Sequence, residues 1–361
     1  MRAALALLLG VVLVWTAPLI GLVLAGEPIA SYLRFPPLTE SVAHAPFLWP
    51  VFGLYASLLA LVGVMLWVGS TGRRAVRQPG PPLHRFPWWG MLGLGLIACG
   101  WIFAWSDTLV PVEVRRHTFA VLWLGYILAM NGLVHRRIGA CLLTHRTRWL
   151  LALFPVSAGF WWLFEHLNQF VDNWYYDGIE DDSRWAYFLQ ATVPFSTVLP
   201  AVASTSAWLG SHARLDFAGL PSVRAQPAAA WLALLTGTLA LAGVGLWPEA
   251  LFALLWLGPL LLFCALQYLL LGETFLAPLA HGDWRPLLQP ALAGLLCGLV
   301  WELWNYGSAA QWHYSIPYVQ RFHVFEMPLA GYGGYVPFGI LCVVVADLVA
   351  KVVEGRDRLA P

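Results

Sequence analysis

Apolar residues in this chain come in long unbroken runs separated by short polar segments, without the alternation that marks a half-buried strand. A helix crossing a bilayer needs about 20 largely apolar residues. Ten windows meet or approach that length: 3–25, 46–69, 88–106, 118–134, 149–170, 186–210, 229–247, 249–270, 288–306 and 330–350. The fourth is short, and only Trp247-Pro248-Glu249, a tight hairpin, joins the seventh to the eighth. The pattern predicts an all-α fold, a polytopic integral membrane helical bundle of about 10 transmembrane helices, forming a single transmembrane domain over 1–361. The first run is longer than the roughly 7–15 residues of a signal-peptide core, so it reads as a retained helix.

Ten crossings put both termini on one side. Segments rich in arginine and lysine stay in the cytoplasm. Alternate segments carry Arg2; Arg73, Arg74, Arg77 and Arg85; Arg136, Arg137, Arg146 and Arg148; Arg214 and Arg224; Arg285; and Lys351, Arg356 and Arg358. The opposite segments hold only Arg34, Arg115, Arg116, Arg184 and Arg321. The expectation is a multi-pass protein of the cell (plasma or inner) membrane, with both termini cytoplasmic and the Asp177–Asp182 loop outside.

Composition sharpens this picture by exclusion. Hydrophobic residues make up 60% of the chain and charged ones 11%, where soluble domains carry about 25% charged residues. No water-facing globular surface can be made from that stock, nor the basic surface of a nucleic-acid binder. The expected partners are therefore membrane lipids and a lipid-like small-molecule ligand, with no nucleic acid. Five cysteines without a C-x-x-C pair suggest neither a disulfide frame nor a zinc site. No cofactor and no oligomeric state can be read from the sequence.

One internal echo stands out. The fifth window ends in Glu165-His166-Leu167-Asn168, followed by Trp174-Tyr175-Tyr176. The ninth ends in Glu302-Leu303-Trp304-Asn305, followed by Trp312-His313-Tyr314. Both read E-x-x-N and then W-aromatic-Y, and the next helix carries two prolines each time: Pro194 and Pro200, then Pro328 and Pro337. This is the pattern of a parallel internal repeat over 149–210 and 288–350, set against coincidence in a tryptophan-rich chain.

A carboxylate inside a spanning helix is costly unless paired or wetted, and such residues commonly serve function. Glu165 and Glu302 are therefore the candidate catalytic residues, against the plainer reading of structural hydrogen bonding between helices. Trp161, Glu165, Asn168 and Asp172 share one helix stripe. Gly294, Gly298 and Glu302 recur every four residues, a spacing that admits a close neighbour and points Glu302 into the bundle. The run from Phe325 to Pro337, with two prolines and three glycines, cannot be a regular helix; irregular backbone at membrane depth lines protein or a cavity. A cavity bounded by helices five, six, nine and ten is expected. Its binding residues would be Asn168 and Asn305, Trp161, Trp301, Trp304, Trp312, Tyr314, Asp172, His166, His313, His323 and Glu326. Indole faces hold sugars, isoprenoid chains or cations as readily as they pack. The histidines and Glu326 show no metal-ligand spacing, so no metal is expected. The acidic loop over Asp172, Asp177, Glu180, Asp181 and Asp182 reads as solvated, against a cation site whose spacing fits no EF-hand. The many tryptophans at helix ends, Trp149 among them, read as interfacial belts. Asp347 and Lys351 have the spacing of a helix-end ion pair.

Three functions fit. The first is a membrane-embedded enzyme acting on a lipid-like or polyprenyl-linked substrate near the outer leaflet, with the glutamates as acid and base. The second is a proton- or cation-coupled transporter or channel. The third is a non-catalytic subunit of a membrane complex. The wholly apolar inner half of the ninth helix, Ala291 to Val300, offers no through-path and places the enzyme first.

Overall fold

The computed structural model describes residues 1–71, 83–179 and 183–355. The Pro79–Pro82 linker, Arg73, Arg74, Arg77, Arg356, Arg358 and the acids 180–182 lie outside the described residues. Ten helices among the described residues are long and apolar enough to cross a membrane. They are α1 (Arg2–Ala25), α2 (Trp49–Val68), α3 (Trp88–Trp105), α4 (Val112–Ile138), α5 (Thr147–Val171), α6 (Arg184–Gly210), α7 (Pro227–Leu246), α8 (Leu254–Leu271), α9 (Arg285–Asn305) and α10 (Leu329–Val353). The chain is an all-α polytopic bundle, a multi-pass membrane protein.

Three of the ten are interrupted: α4 at Arg116-His117, α6 just after Pro194, and α10 in its glycine-rich first turn. α6 breaks between Phe195 and Val198. Ser157 of α5 bridges the gap, donating to the Phe195 carbonyl at 2.6 Å and accepting from the Leu199 N–H at 3.0 Å, so the freed backbone groups are not orphaned. α10 opens as a 3₁₀ turn, Leu329–Gly334, before becoming a regular helix at Tyr335.

The apolar-run reading foresees no strands, yet among the described residues four short ones cap one end of the bundle. β1 (Trp174–Asp177) pairs antiparallel with β2 (Gln311–Tyr314), and β3 (His323–Val324) with β4 (Met327–Pro328). They form there because loops held over a bundle must pair their own backbone groups. This end, where α5 and α9 finish and α6 and α10 begin, is termed the site end.

α10 is the central column, buried almost continuously from Phe338 to Ala350 and packed on α1, α5, α6, α8 and α9. Its approach to α9 depends on glycine. A Cβ on Gly294 would run into the Tyr335 carbonyl, and one on Gly339 into the Pro290 carbonyl. α1 packs on α7 and α8, and α3 on α4. α2 has no buried residue in its span and leans on the 3₁₀ turn of α10.

Two sequence readings change at the opposite end. Trp149 is fully buried, not interfacial: its indole donates to the Ala346 carbonyl at 2.9 Å, and the Arg146 guanidinium lies 4.4 Å over its ring. Arg146 itself is buried and paired with Glu354, so it is more than a topology signal. Asp347 is likewise buried, accepting from Gln267 at 2.7 Å, while Lys351 reaches Glu273 at 3.2 Å and Asp347 at 3.8 Å. The i,i+4 pair is real but is part of an interhelical network, because α10 ends against α8 rather than in water.

Candidate functional site

α5 ends where Asp172 takes a left-handed conformation, φ 45°, and sends the chain back over the helix. Asn168 fixes that return. Its Nδ2 donates to the Trp174 carbonyl at 2.6 Å, and its Oδ1 accepts from the backbone N–H groups of Asn173 and Trp174 at 2.9 and 3.3 Å. β1 is thereby held so that its side chains fold onto Glu165. Glu165 Oε1 accepts from the Trp161 indole at 2.8 Å, the Trp174 indole at 3.1 Å and the Tyr176 hydroxyl at 2.6 Å.

The end of α9 is built in the same way. Asn305 Nδ2 donates to the Trp312 carbonyl at 2.7 Å, and its Oδ1 accepts from the Trp312 N–H at 2.9 Å. β2 then returns Tyr314 to Glu302, whose Oε1 accepts from the Tyr314 hydroxyl at 2.7 Å and the Tyr335 hydroxyl at 2.6 Å. The Trp312 indole donates to the Tyr314 oxygen at 2.9 Å. Glu302 Oε2 is buried and has no hydrogen-bond partner among the described residues.

The two returns meet as a ribbon. β1 and β2 pair Trp174 with Tyr314, Tyr175 with His313 and Tyr176 with Trp312. Each tryptophan of one segment therefore stands opposite the tyrosine of the other, as a two-fold axis through Tyr175 and His313 would place them. In both E-x-x-N/W-x-Y segments the asparagine holds the strand backbone and the tyrosine donates to the glutamate, whereas the tryptophans differ: Trp174 donates to Glu165 and Trp312 to the Tyr314 oxygen.

Beneath the ribbon lies a cavity of about 140 Å³. Its walls include Trp161, Trp174 and Tyr176 from the Glu165 cluster and Trp312, Tyr314 and Tyr335 from the Glu302 cluster. Trp301, Trp256, Phe195 and Tyr187 complete a largely aromatic lining, and Arg116 is the one charged residue lining it among the described residues. Both glutamates are buried, Glu165 at 1% exposure and Glu302 at 0%, and they stand behind the hydroxyl and indole groups that face the space. Burial pushes the phenols of Tyr176 and Tyr314 well above their ordinary value, and the neighbouring Glu165 and Glu302 push them further. Both tyrosines stay protonated across the physiological range, with that proton pointed at a carboxylate.

The expected binding set divides on this geometry. Trp161, Trp301, Trp312 and Tyr314 line the cavity. Asn168 and Asn305 hold the strands instead, because both ends of each amide are taken by backbone. Trp304 packs against Trp101 and Trp123, outside the lining. His166 stacks on Trp15 at 3.9 Å and bonds its carbonyl, on the far face of α5. Asp172 lies at the mouth of the α5 turn. There burial, with a contribution from Glu40, raises its carboxyl to about 6 against the opposing effect of His44. His313 sits on the outer side of the ribbon between Asp177 (3.1 Å) and Glu326 (3.0 Å), and His323 is exposed beside Gln320. No cluster of three or more metal-ligating side chains occurs among the described residues.

Tyr176, Tyr187, Tyr335, Trp174 and Trp256 join the site from outside the expected set. The W-aromatic-Y echo maps Tyr176 onto Tyr314 and could have found it. Tyr335 carries no such signal, since it is simply the residue at which the glycine-rich turn becomes a helix.

No family model matches this chain, and neither a curated protein nor a solved structure does.

Proposed function

We propose that the chain is a membrane-embedded enzyme carrying out proton-transfer chemistry on a lipid-like or polyprenyl-linked substrate. The observation that supports this is that two carboxylate-backed tyrosine clusters share one largely aromatic cavity. In this reading the tyrosines touch the substrate and the glutamates act through them. On the base side, a Tyr oxygen takes a proton from the substrate while its own proton passes to the glutamate, along the 2.6–2.7 Å hydrogen bonds already in place. The acid side is the same relay reversed: a protonated glutamate recharges the tyrosine that has protonated the substrate. One cluster carrying the proton and the other lacking it supplies the acid and base of a single turnover. The aromatic walls exclude water and hold an apolar substrate. The arginine distribution supports a site end at the outer face of the cell membrane.

The test compares lipid extracts of membranes holding the native protein, Glu302→Gln or Tyr335→Phe, by mass spectrometry. The expected result is a lipid species consumed or formed only with the native protein, and at least about a hundredfold less conversion in both variants at equal protein level. A second reading, a proton- or cation-coupled transporter, is favoured by the broken α6 and α10. An unchanged lipid profile together with Glu302-dependent ion flux in vesicles would establish that reading instead.

A further inference from the structure

A second, larger cavity of about 500 Å³ lies beside the first. Trp174, Trp256, Tyr314, Met327, Gly331 and Gly334 belong to both, so one layer of side chains separates them. The outer wall is α2, through Leu54, Tyr55, Leu58, Leu59 and Val62. The inner wall is the start of α8 and of α10, including Leu257 and Ile340, and no charged residue lines the space among the described residues.

Three features decide what this groove holds. Leu54 to Val62 spans about 12 Å of helix, close to the roughly 15 Å of hydrocarbon in one leaflet. α2 buries none of its span, and Leu54, Leu58 and Leu61 along it are about half exposed, so the groove behind it is reachable from the side. Asn173 lines the site end of the groove; it is only 3% exposed, yet its Oδ1 has no hydrogen-bond partner among the described residues. A buried acceptor without a donor is costly, and a ligand that brings one removes the cost.

We infer that the groove binds the chain of a single-chain amphiphile whose hydrogen-bond-donating head, a hydroxyl or amine, meets Asn173 and reaches the tyrosine cavity. This rests on the enzymatic reading above and narrows its substrate class. The chain enters sideways from the bilayer past α2. Met327, an unbranched thioether in the shared wall, is the adjustable partition between chain and head. Gly333 keeps the passage open: a Cβ there would first meet Leu59 at 3.7 Å, so a larger side chain would grow across the gap.

The probe is a long-chain alcohol carrying a mid-chain diazirine, photolysed with the full-length protein in nanodiscs and mapped by peptide mass spectrometry. Labelling is expected at Leu58, Leu59, Leu257 and Ile340, reduced at least tenfold by excess hexadecanol and little by excess palmitate. Gly333→Leu and, as a second plug, Leu58→Trp should abolish the competable labelling while melting like the native protein. Asn173→Ala should weaken the alcohol's competition several-fold. Labelling spread over lipid-facing helices and indifferent to competitor, or unchanged in a folded plug variant, would mean annular lipid only and overturn the inference. Equal competition by palmitate would overturn the assignment of the head. Groove labelling should persist in Tyr335→Phe. Labelling without lipid conversion would sink the enzymatic reading alone, and conversion without groove labelling would sink this inference alone.

Discussion

At Glu302 a single oxygen does the bonding: Oε1 takes two tyrosine protons while Oε2 takes none. A glutamine can place its carbonyl at the Oε1 position and keep both bonds, losing only the ability to hold a mobile proton. Glu302→Gln should therefore melt close to the native protein. Glu302→Leu strands two buried hydroxyls and should cost about 1–3 kcal/mol for each. Thermal melts of the two variants in one detergent check this, and a Gln variant as unstable as Leu would mark the charge itself as structural. Asp172 gives a pH-dependent counterpart. Its carboxyl is raised to about 6 from an ordinary 3.8, so the folded state holds this proton more tightly than the unfolded chain. The folded state is thus favoured at low pH, and that advantage is lost as pH rises from about 4 to about 6. Asn tolerates the positive φ of 45° found here. Asp172→Asn should accordingly raise the melting temperature at pH 7.5 and gain less at pH 5; equal gains at both would exclude the titration. At this scale the glutamates and four residues of the aromatic wall, Trp161, Trp301, Trp312 and Tyr314, were legible from the echoed segments, while the asparagines stood out as polar residues in apolar runs but clamp backbone instead of lining the cavity. Tyr335 was hidden because one more tyrosine near a helix end carries no pattern of its own.

Helices were readable from length and hydrophobicity, and the breaks in α6 and α10 from their prolines and glycines. The β1–β2 ribbon was not: each strand has four residues, too few for a period, and its register depends on where α5 and α9 end in space. Asn168 and Asn305 convert that placement into structure by clamping both groups of a strand backbone. Asn305→Ala should unclamp β2, lowering stability by about 1–3 kcal/mol and reducing activity through the misplaced Tyr314. Amide exchange at Trp312 should rise while exchange in α1 and α7 stays unchanged. Uniform loosening of the bundle would argue against a local clamp. The α9–α10 contact makes the opposite demand, for absence of a side chain. Gly294→Val forces a branched group against the Tyr335 backbone, which overpacking alone prices at about 1–3 kcal/mol. It should also draw Tyr335 away from Glu302, so activity should fall further than the melting temperature implies.

Across the whole molecule, the two ends are held by different chemistry. At the site end the buried carboxylates are met by hydrogen bonds from aromatic side chains, and the His313 pairs with Asp177 and Glu326 lie outside them on the ribbon. The other end is tied by ion pairs, Arg146 with Glu354 and Lys351 with Glu273, both joining segments distant in the chain. The sequence could not show these pairs because their partners meet only when α10 packs through the centre of the bundle. The charges near the termini of the spans predict which end faces the cytoplasm. Arg2, Arg85, Arg136, Arg137, Arg146, Arg148, Arg224, Arg285 and Lys351 belong to the ion-paired end, while among the described residues the site end has Arg34, Arg115, Arg116, Arg184 and Arg321. If arginine-rich segments stay on the cytoplasmic side, fusions after Ser183, before α6, should report outside, and fusions after Arg77 and Arg358 inside. Fusions of a cytoplasm-active fluorescent reporter and a periplasm-active phosphatase after these three residues check it. The phosphatase should be active only after Ser183, and the fluorescent reporter only after Arg77 and Arg358. A fluorescent signal after Ser183 would invert the protein, leave the geometry of the cavity untouched, and move the substrate pool it draws on to the inner leaflet.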